Sequence, residues 1–207
     1  MALIKKLAAS EPSQDRRSHE RDWPGLLQQL DSPDAATRRW AVQDLAAYPD
    51  ASSVLLERLA RERDLAVREV IFTGLIQRHD RVAVEGLLAC LRSEDASLRN
   101  EAIEALKQLP REIEPLLEGL LHDPDPDVRI FVVNILESLC HPQVEDWLIR
   151  VIEQDPHVNV CATAVDLLGE VGNESSEPAL RVLKQRFANE PYIQFAADLA
   201  LKRIQKA

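Results

Sequence analysis

The residues best suited to chemistry are three cysteines and five histidines, and their spacing argues against a shared site. They are Cys90, Cys140, Cys161, His19, His79, His122, His141 and His157. None of the cysteines stands in a Cys-x-x-Cys pair, whereas a structural zinc ion needs four ligands at close spacing. The one adjacent pair, Cys140–His141, falls between predicted helices, and we interpret it as a buried thiol beside an exposed imidazole. We therefore predict no metal and no cofactor.

Composition and motifs narrow the function further. The 207 residues carry a formal net charge of −10, and phosphate contacts require Lys and Arg, so general nucleic-acid binding is disfavoured. The sequence contains no Gly-rich phosphate loop, no Gly-x-Ser-x-Gly and no His-Glu-x-x-His. With no convergent set of activated groups, we expect a non-catalytic protein.

The beginning of the chain differs from the rest. The segment MALIKKLAAS has a short apolar core interrupted by Lys5 and Lys6, so it does not fit a signal peptide. No apolar stretch approaches the ~18 residues of a membrane helix. Together with sparse cysteines, which fit a reducing compartment, this predicts a cytoplasmic protein. We interpret residues 1–22 as a flexible segment with a short amphipathic head, and residues 23–207 as the folded domain.

An internal repeat organises the rest of the chain. An anchor position, apolar in five of the six units, recurs at spacings of 30, 31, 30, 32 and 33 residues. The anchors are Thr37, Val67, Leu98, Val128, Val160 and Ile193. A leucine follows each anchor after eight residues, giving Leu45, Leu75, Leu106, Leu136, Leu168 and Leu201. Each unit also has an earlier apolar segment at helical spacing, such as IEPLLEGLL over residues 113–121. The pattern predicts six two-helix repeats that bury their apolar stripes by stacking.

These units resemble the HEAT repeat in its short bacterial form, the type found in phycobilin lyases. The segments LLHDPDPDVR (residues 120–129) and LLGEVG (residues 167–172) match it best, and the resemblance extends from Trp23 to the C-terminus. It implies an all-α, right-handed α-α superhelix of about six repeats whose second helices line the concave side.

The resemblance also implies a structural ladder between repeats. In such stacks, arginines that follow the anchors pair with turn aspartates of adjacent repeats, through charge-assisted contacts that fix geometry. The ladder residues would be Arg38, Arg68, Arg99 and Arg129, with Asp34, Asp64, Asp95 and either Asp123 or Asp125. An alternative is that the arginines read the phosphates of a ligand. Because Cys161 and Gln194 occupy the last two arginine positions, we expect the final repeats to stack differently or to cap the domain.

The two positions after each ladder residue are expected to face solvent on the concave side. Several are apolar, and exposed apolar patches mark interaction sites. We predict a partner-binding surface formed by Arg39, Trp40, Glu69, Val70, Glu101, Ile130 and Phe131. Trp40, Val70, Ile130 and Phe131 would be the buried anchors, and the charged residues would set orientation. Alternatively, the N-terminal segment covers this surface, or the register is shifted by one residue.

Acidic residues concentrate in the third and fourth repeats. Residues 101–150 contain 11 acidic and 4 basic side chains, a net charge of −7. The cluster includes Glu101, Glu104, Glu112, Glu114, Glu118, Asp123, Asp125 and Asp127. Such a cluster is either a solvated face or a patch that steers a basic partner.

These observations predict an adaptor that binds a protein partner on its concave surface, as a monomer or weak homodimer. The alternative is a subunit of a phycobilin lyase-like or chaperone-like assembly. Two other enzyme classes of similar fold fit less well. Deoxyhypusine hydroxylases hold iron with repeated His-Glu pairs, and this chain has only His19–Glu20. HEAT-like DNA glycosylases need a basic groove, and only Arg38, Arg39 and Trp40 resemble one.

Overall fold

The computed structural model describes residues 20–206, and within them the fold is entirely helical. The expectation for residues 1–22 therefore falls mainly outside the described part. The helices are α1 Trp23–Leu30, α2 Ala35–Leu45, α3 Ala51–Arg61, α4 Leu65–Arg78, α5 Arg81–Cys90, α6 Ala96–Lys107, α7 Pro110–Ile113, α8 Leu117–Leu120, α9 Pro126–Leu136, α10 Val144–Gln154, α11 Val158–Val171, α12 Glu177–Arg186 and α13 Pro191–Ile204. They form an α-α solenoid of two-helix repeats, as the sequence predicts.

Aspartates at the turns start the second helices. The side chain of Asp34 accepts from the Thr37 amide at 2.8 Å, and that of Asp64 accepts from the amides of Ala66 and Val67. Asp95 and Asp125 cap α6 and α9 in the same way. The first amides of a helix lack partners within it, so these carboxylates satisfy donors that would otherwise depend on water.

The core runs continuously through the stack. Each second helix contacts the next along the chain, from α2 through α4, α6, α9 and α11 to α13. The repeated leucines lie in this core, all of them fully buried except Leu201, which is 8% exposed. Each hairpin thus buries its apolar stripe against its neighbours, which explains why the leucine position is invariant among the six repeats.

One first helix is broken. The sequence predicts a single helix over residues 113–121, but the structure has α7, a 3₁₀ turn over Glu114–Leu116, and then α8. Pro115 explains the break, because it has no amide hydrogen and its ring clashes with the preceding helical turn. Ile113 and Leu117 on either side of the turn are still fully buried. The break therefore interrupts the helix without removing this segment from the core.

Candidate functional site

The predicted ladder arginines lie between repeats. Two of them, Arg38 and Arg129, each donate two hydrogen bonds to one buried carboxylate. Arg38 donates from Nε and Nη2 to the two carboxylate oxygens of Glu62, at 2.8 and 2.9 Å. Arg129 contacts Asp155 in the same way, at 2.6 and 3.0 Å. Each arginine also donates from Nη1 to carbonyls of its own turn. These guanidinium groups are occupied by the chain itself, which favours a structural role over phosphate binding.

Most of the acids expected in the ladder do not accept from these arginines. Asp34, Asp64 and Asp125 act as helix caps, and the contacts of Arg38 and Arg129 go to Glu62 and Asp155 instead. Glu62 lies two residues before the capping Asp64, so its side chain is available to the preceding repeat while Asp64 faces the helix start.

Arg68 and Arg99 show how the neighbouring residues decide the pairing. Arg68 donates to the Asp95 carboxylate at 2.8 Å, which is the contact that the resemblance implies. Arg99 instead donates to the Ser93 carbonyl, and its guanidinium lies over the Phe131 ring, 5.9 Å from the centroid. The acid that could meet Arg99, Asp123, pairs instead with Arg92, which lies in the turn after α5. At the interface between the third and fourth repeats, the ion pair with the turn acid is therefore made by Arg92 and not by the ladder arginine.

Glu62 is the most perturbed carboxylate of this set. Burial by itself would raise its pKa, but hydrogen bonds from Arg38 and from the amides of Asp64 and Arg63 outweigh burial. The pKa of Glu62 is lowered to about 2. Arg58 adds a further contact at 3.0 Å. Glu62 is therefore ionised over the physiological range and joins the first two repeats electrostatically.

The last interface uses a different arginine. Cys161, which replaces the arginine of the fifth repeat, is fully buried with its thiol 3.3 Å from the Asp155 carbonyl. Arg186, from the first helix of the sixth repeat, donates to the carbonyls of Ile152 and Asp155. Gln194 in turn donates to the carbonyls of Lys184 and Phe187. Arg186 thus joins the final repeats through main-chain acceptors, whereas Gln194 bonds within the sixth repeat. The Glu145 carboxylate of α10 adds a contact by accepting from Ser176, just before α12.

The interpretation of Cys140–His141 is wrong in its burial. Cys140 is exposed, whereas His141 stacks on Trp147 with ring centroids 5.1 Å apart and contacts Glu114 at 3.2 Å. The histidine is drawn inward because Trp147, at 5% exposure, offers it an aromatic face. Among residues 20–206, no group of three or more His, Cys, Asp or Glu side chains is arranged to hold a metal ion.

We define the second-helix face as the outward surface of α2, α4, α6, α9, α11 and α13, on which the predicted partner-binding residues lie. Trp40 is 41% exposed, and the Arg39 guanidinium lies 6.0 Å from the centre of its ring. Val70, Ile130 and Phe131 are less exposed than predicted, because each is packed partly against the core. Phe195, which occupies the position of Ile130 in the last repeat, is 65% exposed.

A groove between α2 and α4 brings four of the predicted residues together. We call it the Trp40 groove; its volume is about 490 Å³. Its lining consists of Arg39, Trp40, Val42, Gln43, Ala46, Ala66, Glu69, Val70, Thr73, Gly74 and Gln77. The predicted residues Glu101, Ile130 and Phe131 lie further along the second-helix face and do not contribute to it. The groove can hold an apolar side chain against Trp40 and Val70, with Arg39 and Glu69 at its edges.

Sequence reasoning did not identify a second, smaller pocket on the same face. It lies between α9 and α11, has a volume of about 200 Å³, and contains three acids, Glu137, Asp166 and Glu170. Each acid lies about one or two helical turns after the two positions that follow the ladder position of its own repeat. Residues at this spacing share a helix face, so helical periodicity could have revealed them. The acids extend a row that starts with Glu69 in the Trp40 groove.

The acidic cluster of the sequence is divided between two sides of the solenoid. Glu112, Glu114 and Glu118 belong to the broken first helix, where they contact His79, His141 and Arg150. Six acids that lie on second helices or directly after one form what we call the acidic strip. It consists of Glu69, Glu101, Glu104, Glu137, Asp166 and Glu170.

A third pocket, of about 290 Å³, lies between α8 and α10 near the turns. Its apolar wall includes Leu121, Trp147 and Val151, and the Arg150–Glu118 ion pair, at 2.8 Å, contributes to its polar wall.

Within residues 20–206, no helix has the length and apolarity needed to cross a membrane.

Comparison with known proteins agrees with this architecture. The family model described as HEAT repeats matches residues 23–109 and 113–202, which confirms the predicted resemblance. No curated protein matches the chain.

Three solved structures illustrate the similarity. The complex of CpcE and CpcF of phycocyanin lyase from Nostoc sp. PCC7120 is 17% identical, with 95% of this chain and 99% of that chain covered and a TM-score of 0.40. Human deoxyhypusine hydroxylase in complex with glycerol is 19% identical, with 89% of this chain and 74% of that chain covered and a TM-score of 0.46. The archaeal HEAT-like repeats protein from Thermococcus onnurineus NA1 is 19% identical, with 87% of this chain and 86% of that chain covered and a TM-score of 0.42.

Proposed function

Because the chain belongs to the HEAT-repeat family, we propose that it is a non-catalytic adaptor that holds a protein partner on its second-helix face. The observation that carries the proposal is the Trp40 groove, where Trp40 is 41% exposed beside Val70. Tryptophan is enriched among residues that dominate binding energy when a partner covers them.

The stacked helices suit this role. The walls of the groove are two adjacent second helices, each fixed by buried leucines and by the contact of Arg38 with Glu62. A binding surface formed before the partner arrives loses little conformational freedom on association. The solenoid therefore supplies a rigid face on which exposed side chains decide what binds.

The chemistry of the described residues supports a non-catalytic role. Burial raises the pKa of the Cys161 thiol to about 11, so it is a poor nucleophile near neutral pH. His79 and His141 each contact one glutamate, Glu112 and Glu114 respectively, and neither histidine lines the Trp40 groove. In the groove, the Thr73 hydroxyl donates to the main-chain carbonyl of Glu69 at 2.9 Å and not to an activating base.

The test is affinity recovery from the native lysate with the full chain and matched variants. Trp40→Ala and Phe131→Glu change the second-helix face, whereas Val82→Ala and Val182→Glu change exposed apolar residues of first helices. We expect a protein partner that is recovered with wild type and the two controls, and is lost with the two face variants. Because Phe131 is half-buried, thermal unfolding of each variant is measured in parallel.

Recovery that is equal for all five proteins would contradict the proposed face. Loss with Phe131→Glu alone, together with a lowered melting temperature, would show that this substitution disrupts packing rather than binding. The same eluate tests the lyase-like or chaperone-like alternative, because a bound chromophore would give it visible absorbance.

A further inference from the structure

We propose that the second-helix face takes an extended basic segment of its partner, with one apolar side chain in the Trp40 groove and lysines or arginines along the acidic strip. This inference rests on the proposed function and specifies the chemistry of the partner.

The apolar end of the surface is the Trp40 groove. Its floor includes Val42, Val70 and Gly74, and the exposed part of the Trp40 ring forms one wall. An apolar side chain placed there removes both its own surface and that of the ring from water, which is favourable in proportion to the area covered. At the edge of the groove, Glu69 makes no ion pair within residues 20–206 and carries its charge towards whatever occupies the groove.

The charge of the face changes sharply beyond the groove. Lys107 lies among the acids of the strip and is shared between Glu104 at 3.2 Å and Glu137 at 3.4 Å, and the Arg99 guanidinium over the Phe131 ring lies near the same row. Glu170 lies in the pocket between α9 and α11 and has no ion-pair partner within the described part of the chain. Because the six acids outnumber these cations, the row from α4 to α11 keeps a net negative charge, which attracts and orients basic groups.

Glu101 strengthens this argument. One of its carboxylate oxygens accepts from the Ser97 hydroxyl at 3.1 Å, while the other, Oε2, is buried and has no hydrogen-bond partner within residues 20–206. A polar oxygen removed from water without a partner is unfavourable. Because Oε2 is buried, a cationic group of a partner would meet it only after the Glu101 side chain turns outward, and that movement would relieve the cost of its burial.

The spacing of the helices predicts the spacing of the ligand. Packed helices lie about 8–10 Å apart. An extended chain advances about 3.3 Å per residue, so it crosses one repeat in roughly three residues. With the apolar residue between α2 and α4, we expect basic residues roughly three to twelve positions away, opposite the acids of α6, α9 and α11.

Other occupants fit this face less well. Nucleic acid would place its phosphates against the acidic strip. A second copy of the chain, at a net charge of −10, would bring like charges together in a symmetric contact. The chain's own Lys5 and Lys6, with Leu3, Ile4 and Leu7, have suitable chemistry but lie outside the described residues. The test below separates these cases.

The experiment selects ligands without prior choice of sequence. A phage-displayed library of random sixteen-residue peptides is selected on the full chain, and enriched peptides are synthesised with a fluorescent label for anisotropy titration. We expect peptides with a net positive charge and an apolar residue at the stated spacing. Their affinity is expected to fall with added salt, and to fall about tenfold in Trp40→Ala and in Glu69→Lys/Glu104→Lys.

The matched control is Glu57→Lys/Glu85→Lys, which makes the same change of net charge on exposed residues of α3 and α5. It should leave affinity within about twofold of wild type, since screened charges on the opposite side act weakly. Equal weakening in the control and in Glu69→Lys/Glu104→Lys would show attraction to the whole molecule and would overturn the inference.

The remaining outcomes distinguish this inference from the proposed function. Neutral or acidic peptides that still depend on Trp40 would overturn the basic-segment inference and leave the adaptor function standing. Failure to enrich any peptide that depends on Trp40 would count against both. Two results would identify another occupant and would overturn the inference. Enrichment of basic peptides on the full chain carrying Lys5→Glu/Lys6→Glu, but not on the wild-type chain, would identify the N-terminal segment as the occupant. Dimerisation that is abolished by Trp40→Ala would identify a second copy of the chain as the occupant.

Discussion

Replacing Glu62 with alanine should be among the most disruptive single changes in the first two repeats. Glu62 is 1% exposed and accepts from Arg38 and Arg58 as well as from two main-chain amides. Its removal leaves Arg38, itself only 9% exposed, without the partner of Nε and Nη2. A buried charge that loses its partner cannot regain water without opening the interface between the repeats.

Two arguments give the same magnitude. Breaking one side of a buried ion pair costs about 3–5 kcal/mol of unfolding free energy. Independently, the pKa of Glu62 is lowered from its ordinary 4.5 to about 2. That displacement corresponds to about 3 kcal/mol of preferential stabilisation of the ionised form. We therefore expect Glu62→Ala to lose about 3 kcal/mol.

Urea unfolding followed by circular dichroism measures the change. Glu57→Ala, on the helix α3 that Glu62 follows, is the control, because its side chain is 77% exposed and its removal should cost less than about 0.5 kcal/mol. Because repeats contact only their neighbours, the first repeat is expected to unfold before the others in Glu62→Ala. The main transition then exposes less surface, so the slope of its unfolding free energy against urea concentration should be smaller. The double variant Arg38→Met/Glu62→Ala should be more stable than the sum of the single losses predicts.

A loss below about 1 kcal/mol for Glu62→Ala would refute this reasoning, since it would mean that the pair contributes no more than an exposed one. Strict additivity in the double variant would likewise show that Arg38 and Glu62 are not energetically coupled.

Three further outcomes are expected. Because the folded pKa of Glu62 lies below its ordinary value, its contribution to stability is complete above about pH 4.5 and is lost as the pH falls towards 2, so Glu62→Gln should flatten the acid side of a stability–pH profile. Leu136→Ala should lower the unfolding free energy by about 2–5 kcal/mol because Leu136 is fully buried, and an effect as small as that of the exposed control Val182→Ala would contradict its place in the core. In timed alkylation near neutral pH read by mass spectrometry, exposed Cys140 should be modified first and Cys161 last, since burial raises the pKa of Cys161 to about 11; equal rates would indicate a loose fifth repeat.

Much of the local structure could be predicted from the sequence. The anchor and leucine columns predicted the buried faces, because a helix places residues at fixed spacing on one side whatever surrounds it. Aspartates before the second helices could be identified as caps from position alone, since the amides they satisfy are two or three residues away. The break at Pro115 had a local cause as well, although the periodic pattern concealed it.

The partners of the ladder arginines depended on the tertiary structure. Glu62 and Asp64 are two residues apart, and only the approach of the preceding repeat decides that Arg38 meets the first of them. In the same way, Arg92 takes Asp123, and Arg99 rests on Phe131 instead. Sequence spacing determines which residues lie near the interface, but it does not determine which acid pairs with which of the nearby cations.

The candidate site shows the same division. The sequence alone predicted Arg39, Trp40, Glu69 and Val70 as partner-binding residues, because each follows a repeated arginine on an amphipathic helix. Only the packing of α2 against α4 made them the walls of one groove, and only the stacking of the second helices separated the acids of the acidic strip from those of the broken helix. Periodicity assigns a residue to a face of its own helix, whereas a surface shared by several helices exists only once they are packed together.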